Sequence, residues 1–144
     1  MKKYKIIYFS FLLSIILAVI PQCKKDVEDE IPYAYVNFYI NLNSTQYIEL
    51  NNIGSYAYLT GGVRGIIIYR RSVEEFKAFE RNCPYQPYNT CADIRVDPSS
   101  IMAVDSCCGS QFLLLDGSII KGPATRLLKQ YRTNFDGTTL HVYN

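Results

Sequence analysis

From Pro32 the chain alternates. Ala34, Val36, Phe38, Ile40 and Leu42 share one parity, and Tyr33, Tyr35, Asn37, Tyr39 and Asn41 the other. A period of two over that length predicts a strand with one buried face. Asn43-Ser44-Thr45 reads as a turn. Tyr47, Ile48, Glu49 and Leu50 predict a second short strand, closed by Asn51-Asn52 and Gly54. Tyr56 to Thr60 predicts a third, stopped by Gly61-Gly62. The run Gly65-Ile66-Ile67-Ile68-Tyr69-Arg70 has no polar parity, which predicts a central strand buried on both faces. Ser72-Val73-Glu74-Glu75 has capping-box spacing and predicts one helical turn. Phe76, Ala78 and Glu80 then alternate with Lys77, Phe79 and Arg81 and carry a strand toward Cys83.

The second half continues in short segments. Asp93 to Asp97 and Ile101 to Asp105 predict two strands joined by Pro98-Ser99-Ser100. Asp116-Gly117 lies between Gln111–Leu115 and Ser118–Lys121, and Asp136-Gly137 between Leu127–Phe135 and Thr138–Tyr143. Each is a two-residue hairpin signal. No stretch sustains a helical period. Many short strands with frequent turns predict an all-β sandwich or small barrel over residues 32–144.

The N-terminal residues break this pattern. Lys2, Lys3 and Lys5 precede the apolar run Ile6–Ile20, which is followed by Pro21-Gln22-Cys23 and then Lys24, Lys25 and Asp26. The run is shorter than a membrane-spanning helix needs and suits a secretory leader. A cysteine at the end of such a run resembles a bacterial lipoprotein signal. On that resemblance residues 1–22 are the signal peptide, Cys23 is acylated, and residues 23–31 form an acidic tether. Gln22 departs from the pattern, because a small residue usually precedes the cysteine. The acidic run after Cys23 resembles an export signal to the outer face of the outer membrane. The expectation is an exported envelope protein held in the membrane through Cys23.

Removing the leader changes the electrostatics. All 13 acidic residues follow position 23, and three of the 15 basic ones leave with the leader. Twelve basic against thirteen acidic residues gives a mature chain of net charge −1. No basic patch points to nucleic acid.

Four cysteines remain beyond Cys23: Cys83, Cys91, Cys107 and Cys108. An even number in an exported chain points to disulfides, and four allow three pairings. A four-cysteine metal or cluster site fits less well, because adjacent Cys107 and Cys108 leave no residue between ligands. Other chemistry is thin. Ser110 has no base nearby in sequence. His141, the single histidine, falls inside the last predicted strand. Glu74, Glu75, Asp93, Asp97 and Asp105 form no metal-loop or paired-acid motif and read as solvated or capping groups. Gly61-Gly62-x-x-Gly65 leads into a strand, so it is no phosphate loop. The 13 tyrosines could line a glycan or protein site, but tyrosine is also an ordinary strand residue.

The order Cys83-Pro84-Tyr85, Cys107-Cys108-Gly109-Ser110, Phe112, Asp116-Gly117 and Gly122-Pro123-Ala124 resembles the cluster-binding half of a Rieske domain. That family holds a [2Fe–2S] cluster with Cys-x-His and Cys-x-x-His loops. Its second loop runs on as Gly, a phenylalanine, a Gly turn and a Gly-Pro-Ala cover. The resemblance implies a Rieske-like multi-sheet fold with an inserted two-loop cysteine subdomain. It places Cys83, Tyr85, Cys107 and Ser110 at the cluster-ligand positions. Tyr85 and Ser110 then stand where both histidines belong, so no cluster and no other metal is expected. In a Rieske frame the two ligand cysteines lie close together, and respiratory Rieske proteins carry a disulfide between the loops. This implies the pairs Cys83–Cys107 and Cys91–Cys108, with the swapped pairing as the alternative. The functional expectation is a non-enzymatic, disulfide-stabilised structural or interaction module. The alternatives are an electron-transfer ferredoxin with unusual [2Fe–2S] ligands and a surface lipoprotein that binds glycans or an envelope protein.

Overall fold

The computed structural model describes residues 30–144. The expected signal peptide at 1–22, the expected acylation site Cys23 and the expected tether as far as residue 29 lie outside the described residues. Ten strands form two antiparallel sheets. They are β1 Asn37–Asn41, β2 Tyr56–Leu59, β3 Ile66–Arg70, β4 Phe76–Glu80, β5 Ile94–Val96, β6 Met102–Asp105, β7 Gln111–Leu113, β8 Ile119–Lys121, β9 Gln130–Phe135 and β10 Thr139–Tyr143. The larger sheet runs β1-β10-β9-β4-β3-β2 and the smaller β5-β6-β7-β8. The smaller sheet is therefore an insertion between β4 and β9, which pair directly through Ala78↔Tyr131 and Phe79↔Gln130.

Parity governs most of this arrangement. Val36, Ile40 and Leu42 are buried while Tyr33, Tyr35 and Tyr39 are exposed, as the alternation requires. All five residues of β3 are buried. Ile66 and Ile68 enter one core with Leu50, Phe76, Tyr131 and Leu140. Ile67 and Tyr69 enter a second with Phe79, Cys83, Ile94, Phe112 and Leu128. A strand apolar on both faces can separate two cores, and here it does.

Two polar groups are buried along this wall. The Arg70 guanidinium donates to the carbonyl oxygens of Leu50 (2.8 Å), Val73 (2.8 Å) and Ser72 (3.2 Å), and lies over the rings of Phe76 and Phe135. The fully buried Glu80 carboxylate accepts from Tyr131 Oη (2.6 Å) and from the backbone N–H of Val63 (2.7 Å), Arg64 (2.9 Å) and Asn82 (2.9 Å). Gly62, at φ +62°, is required here, because a Cβ would overlap the Glu80 carboxylate. The Gly61–Gly65 loop thus wraps a carboxylate of its own chain.

Three local expectations are corrected. Tyr47 to Leu50 belongs to a 3₁₀ helix, Thr45–Asn51, not a strand. The Ser44 side chain accepts from Gln46 N, and Leu50 alone of the segment is buried, so its four-residue pattern was too short to set a period. Ser72–Glu75 forms no helical turn. Glu75 N does donate to Ser72 Oγ (3.1 Å), but Arg71 N bonds Glu75 O (2.8 Å) and closes the β3–β4 connection. The Asp-Gly loops are also longer than two residues. Asp116 accepts from the backbone N–H two positions on, and Asp136 from those two and three positions on.

Candidate functional site

Three loops of the small sheet meet at one end. The first, Cys83 to Cys91, leaves β4 through Asn82, and Cys83 N donates to Ala92 O (3.2 Å). The second joins β6 to β7. There the buried Asp105 accepts from Cys107 N (2.7 Å) and Cys108 N (3.4 Å) through Oδ1, while Gly109 N returns to Asp105 O (2.8 Å). The third carries the cis Gly122-Pro123 bond, and Ala124 N donates to the buried Ser110 Oγ (2.9 Å). The Gly-Pro-Ala loop therefore covers the second cysteine loop through Ser110.

At the centre, Cys83 Sγ and Cys108 Sγ lie 3.9 Å apart. Cys108 Sγ is 3.3 Å from Asp105 Oδ2 and 3.1 Å from Ser110 Oγ. One ligand atom from each of Cys83, Asp105 and Cys108 falls within 4.8 Å of the others. Burial, and then the hydrogen bond to Asp105, push the Cys83 thiol well above its ordinary range, only partly offset by the Tyr85 N–H.

Cys91 and Cys107 are disulfide-bonded, with Cα atoms 5.6 Å apart, whereas Cys83 and Cys108 are free. The expected Cys83–Cys107 and Cys91–Cys108 bonds are not formed. The observed bond belongs to the swapped pairing. Its cause is the tight Asp105 turn, which sends adjacent side chains opposite ways. Cys107 faces outward to the exposed Cys91, and Cys108 turns inward to the buried Cys83.

This shifts the candidate positions by two. Cys83 is one of the three donors. Cys107 is taken by the disulfide, and Ser110 supports the loop beneath Cys108. Asp105, read from sequence as a capping or solvated group, is a member. Its signal was present in the sequence, since Asp105-x-x-Cys108-Gly109 keeps the Cys-x-x-His spacing and the glycine that follows it. Tyr85 packs against the second core. His141 is not brought here. It lies on β10 in the other sheet, bonded to Asn37 (2.7 Å) and stacked between Tyr39 and Tyr143. Asp93 pairs with Arg81 and Arg95.

Neither a protein-family model nor a curated protein matches the sequence. Among solved structures, the plasma membrane Rieske protein PetC3 from Synechocystis PCC 6803 superposes with a TM-score of 0.54. Identity is 19%, over 73% of this chain and 99% of that one. The fold is Rieske-like. Cys83, Asp105, Cys108 and the Ala124 cover build one end of the smaller sheet. Its donors do not fit a two-cysteine, two-histidine cluster: they are two thiols and a carboxylate, with the single histidine in the opposite sheet.

Burial also ties stability to pH. The Cys83 thiol and the Tyr131 phenol, whose ordinary pKa values are 9.0 and 10.0, are both raised, chiefly by desolvation. The unfolded chain therefore gives up these protons before the folded chain does. Stability is full below the ordinary values and falls as pH rises past them. Thermal melting followed upward from neutral pH is expected to drop above about pH 9. Tyr131→Phe is expected to flatten the part of the fall above about pH 10. An unchanged slope in that variant would remove Tyr131 from the account.

Proposed function

We propose that this chain is an exported, lipid-anchored Rieske-like module that holds no [2Fe–2S] cluster and acts as a structural or interaction unit at the cell envelope. The observation that carries this reading is the donor set. A Rieske centre needs two cysteines and two imidazoles; beside Cys83 this site offers one thiol, one carboxylate and no imidazole, and a disulfide already closes the loops. Redox tuning by imidazole ligands is unavailable to such a site. Attachment to the membrane through acylated Cys23 accords with the leader-like sequence that precedes it. The exposed Tyr33, Tyr35 and Tyr39 offer flat, polar-tipped contact area to an envelope protein or glycan.

The full chain purified from membranes in detergent tests both halves. It is expected to be colourless and free of iron and acid-labile sulfide. Its intact mass should begin at Cys23 with acyl groups added, and Cys23→Ser should leave the membrane fraction. Visible absorption with stoichiometric iron would instead establish a ferredoxin with unusual ligands.

A further inference from the structure

We propose that Cys83, Asp105 and Cys108 form a mononuclear site for a thiophilic divalent cation of the zinc class. Two independent observations carry this. The first is geometric. In a tetrahedral zinc site with metal–sulfur bonds of about 2.3 Å, the sulfurs stand roughly 3.8 Å apart, and a sulfur and a carboxylate oxygen roughly 3.5 Å. The corresponding separations here are 3.9 Å and 3.3 Å. The three donors come from two loops that the Cys91–Cys107 bond already holds together, so little ordering remains to be done on binding.

The second is electrostatic. Asp105 is fully buried, and among the described residues no lysine, arginine or histidine forms an ion pair with it. Buried carboxylates are ordinarily paired or coordinate a metal. A cation at the centre of this triangle supplies the missing counter-charge. Binding converts the two thiols to thiolates and releases their two protons to solvent, while Asp105 contributes a carboxylate oxygen. Cys108 is only half-buried, so the fourth position opens on its side to a water. Ser110 Oγ, fixed by Ala124 N, orients the Cys108 sulfur from behind.

The inference rests on the cluster-free reading in one respect, since both thiols must be free of iron. The test is titration of the full chain in detergent, under mild reductant that keeps the thiols reduced, with Zn(II) and separately with Co(II). Zinc is read by competition with a chromophoric chelator and cobalt by thiolate charge-transfer absorption. One ion per chain is expected, together with a rise in melting temperature. Asp105→Asn should weaken binding at least about tenfold, and Cys108→Ser should abolish the charge-transfer band. The paired Cys91→Ser, Cys107→Ser variant should still bind. Circular dichroism establishes that each variant is folded, and Asp105→Asn, nearly isosteric, decides the matter if Cys108→Ser is not. Full affinity in Asp105→Asn overturns the proposal, as does binding that disappears only in the paired variant. So do free thiols that take up no metal, and a Cys83–Cys108 bond in protein isolated from the envelope. Those last two outcomes leave the cluster-free reading standing, whereas iron with sulfide defeats both.

Discussion

Glu80→Ala is expected to destabilise the protein by about 4 kcal/mol, because a buried donor left without its acceptor costs about 1–3 kcal/mol and this carboxylate serves four of them. The Val63 and Arg64 bonds are only partly buried and recover part of the loss from water. Tyr131 Oη and Asn82 N are buried and do not. The melting temperature should fall by more than about 15 °C. Glu80→Gln should cost about half as much, since one oxygen survives and the Tyr131 hydroxyl can turn to accept from the new amide. Urea unfolding of the two variants checks the order, and equal losses would mean that the cavity rather than the hydrogen bonds sets the cost. The effect should reach the thiols as well. Asn82 leads directly into Cys83, so freeing it should speed modification of Cys83 by an alkylating reagent.

Joint replacement of Cys91 and Cys107 by serine is expected to cost about 3 kcal/mol, the loop-closure value for a span near the observed separation of 16 residues. Both side chains are exposed, so little packing is lost and the measured change reports the cross-link itself. Thiol counts under non-reducing, unfolding conditions separate this pairing from the alternative inferred from sequence. Cys91→Ser should add one free thiol, from Cys107, and Cys83→Ser should remove one. A Cys83→Ser variant that gained a thiol would mean that Cys83 is itself bonded, to Cys107 or to Cys108, and peptide mapping would tell which.

What the sequence disclosed follows the strength of local constraint. The strands from Pro32 and from Gly65 were legible because a period of two, or an unbroken apolar run, admits few other burial patterns. The segment Tyr47–Leu50 was not, because four residues with one buried member fit a 3₁₀ turn equally well. At the site, Cys83 and the cover at Ala124 were named only through the Rieske resemblance. The second loop was misread by two positions because Cys107 and Cys108 are chemically alike and adjacent. Only the turn made by Asp105 distinguishes inward from outward, and an aspartate that caps a turn looks the same in sequence whether it is solvated or buried. The Glu80 network was invisible for a related reason: its donors, Val63, Arg64, Asn82 and Tyr131, are far apart in sequence.

The wall between the two cores has a further consequence. Ile66, Ile67 and Ile68 are identical in chemistry, so a slip of β3 by one residue would exchange isoleucines between the cores at almost no cost in apolar burial. The next two residues forbid it. A slipped Arg70 would enter the space of Tyr69, lose the carbonyls of Leu50, Ser72 and Val73, and strand a guanidinium beside Phe79 and Phe112. At the other end, Gly62 would no longer meet the Glu80 carboxylate. The alignment of the whole larger sheet, and with it the position from which the first cysteine loop departs, is thus spelled by one arginine and one glycine rather than by the apolar residues that supply the bulk of the strand.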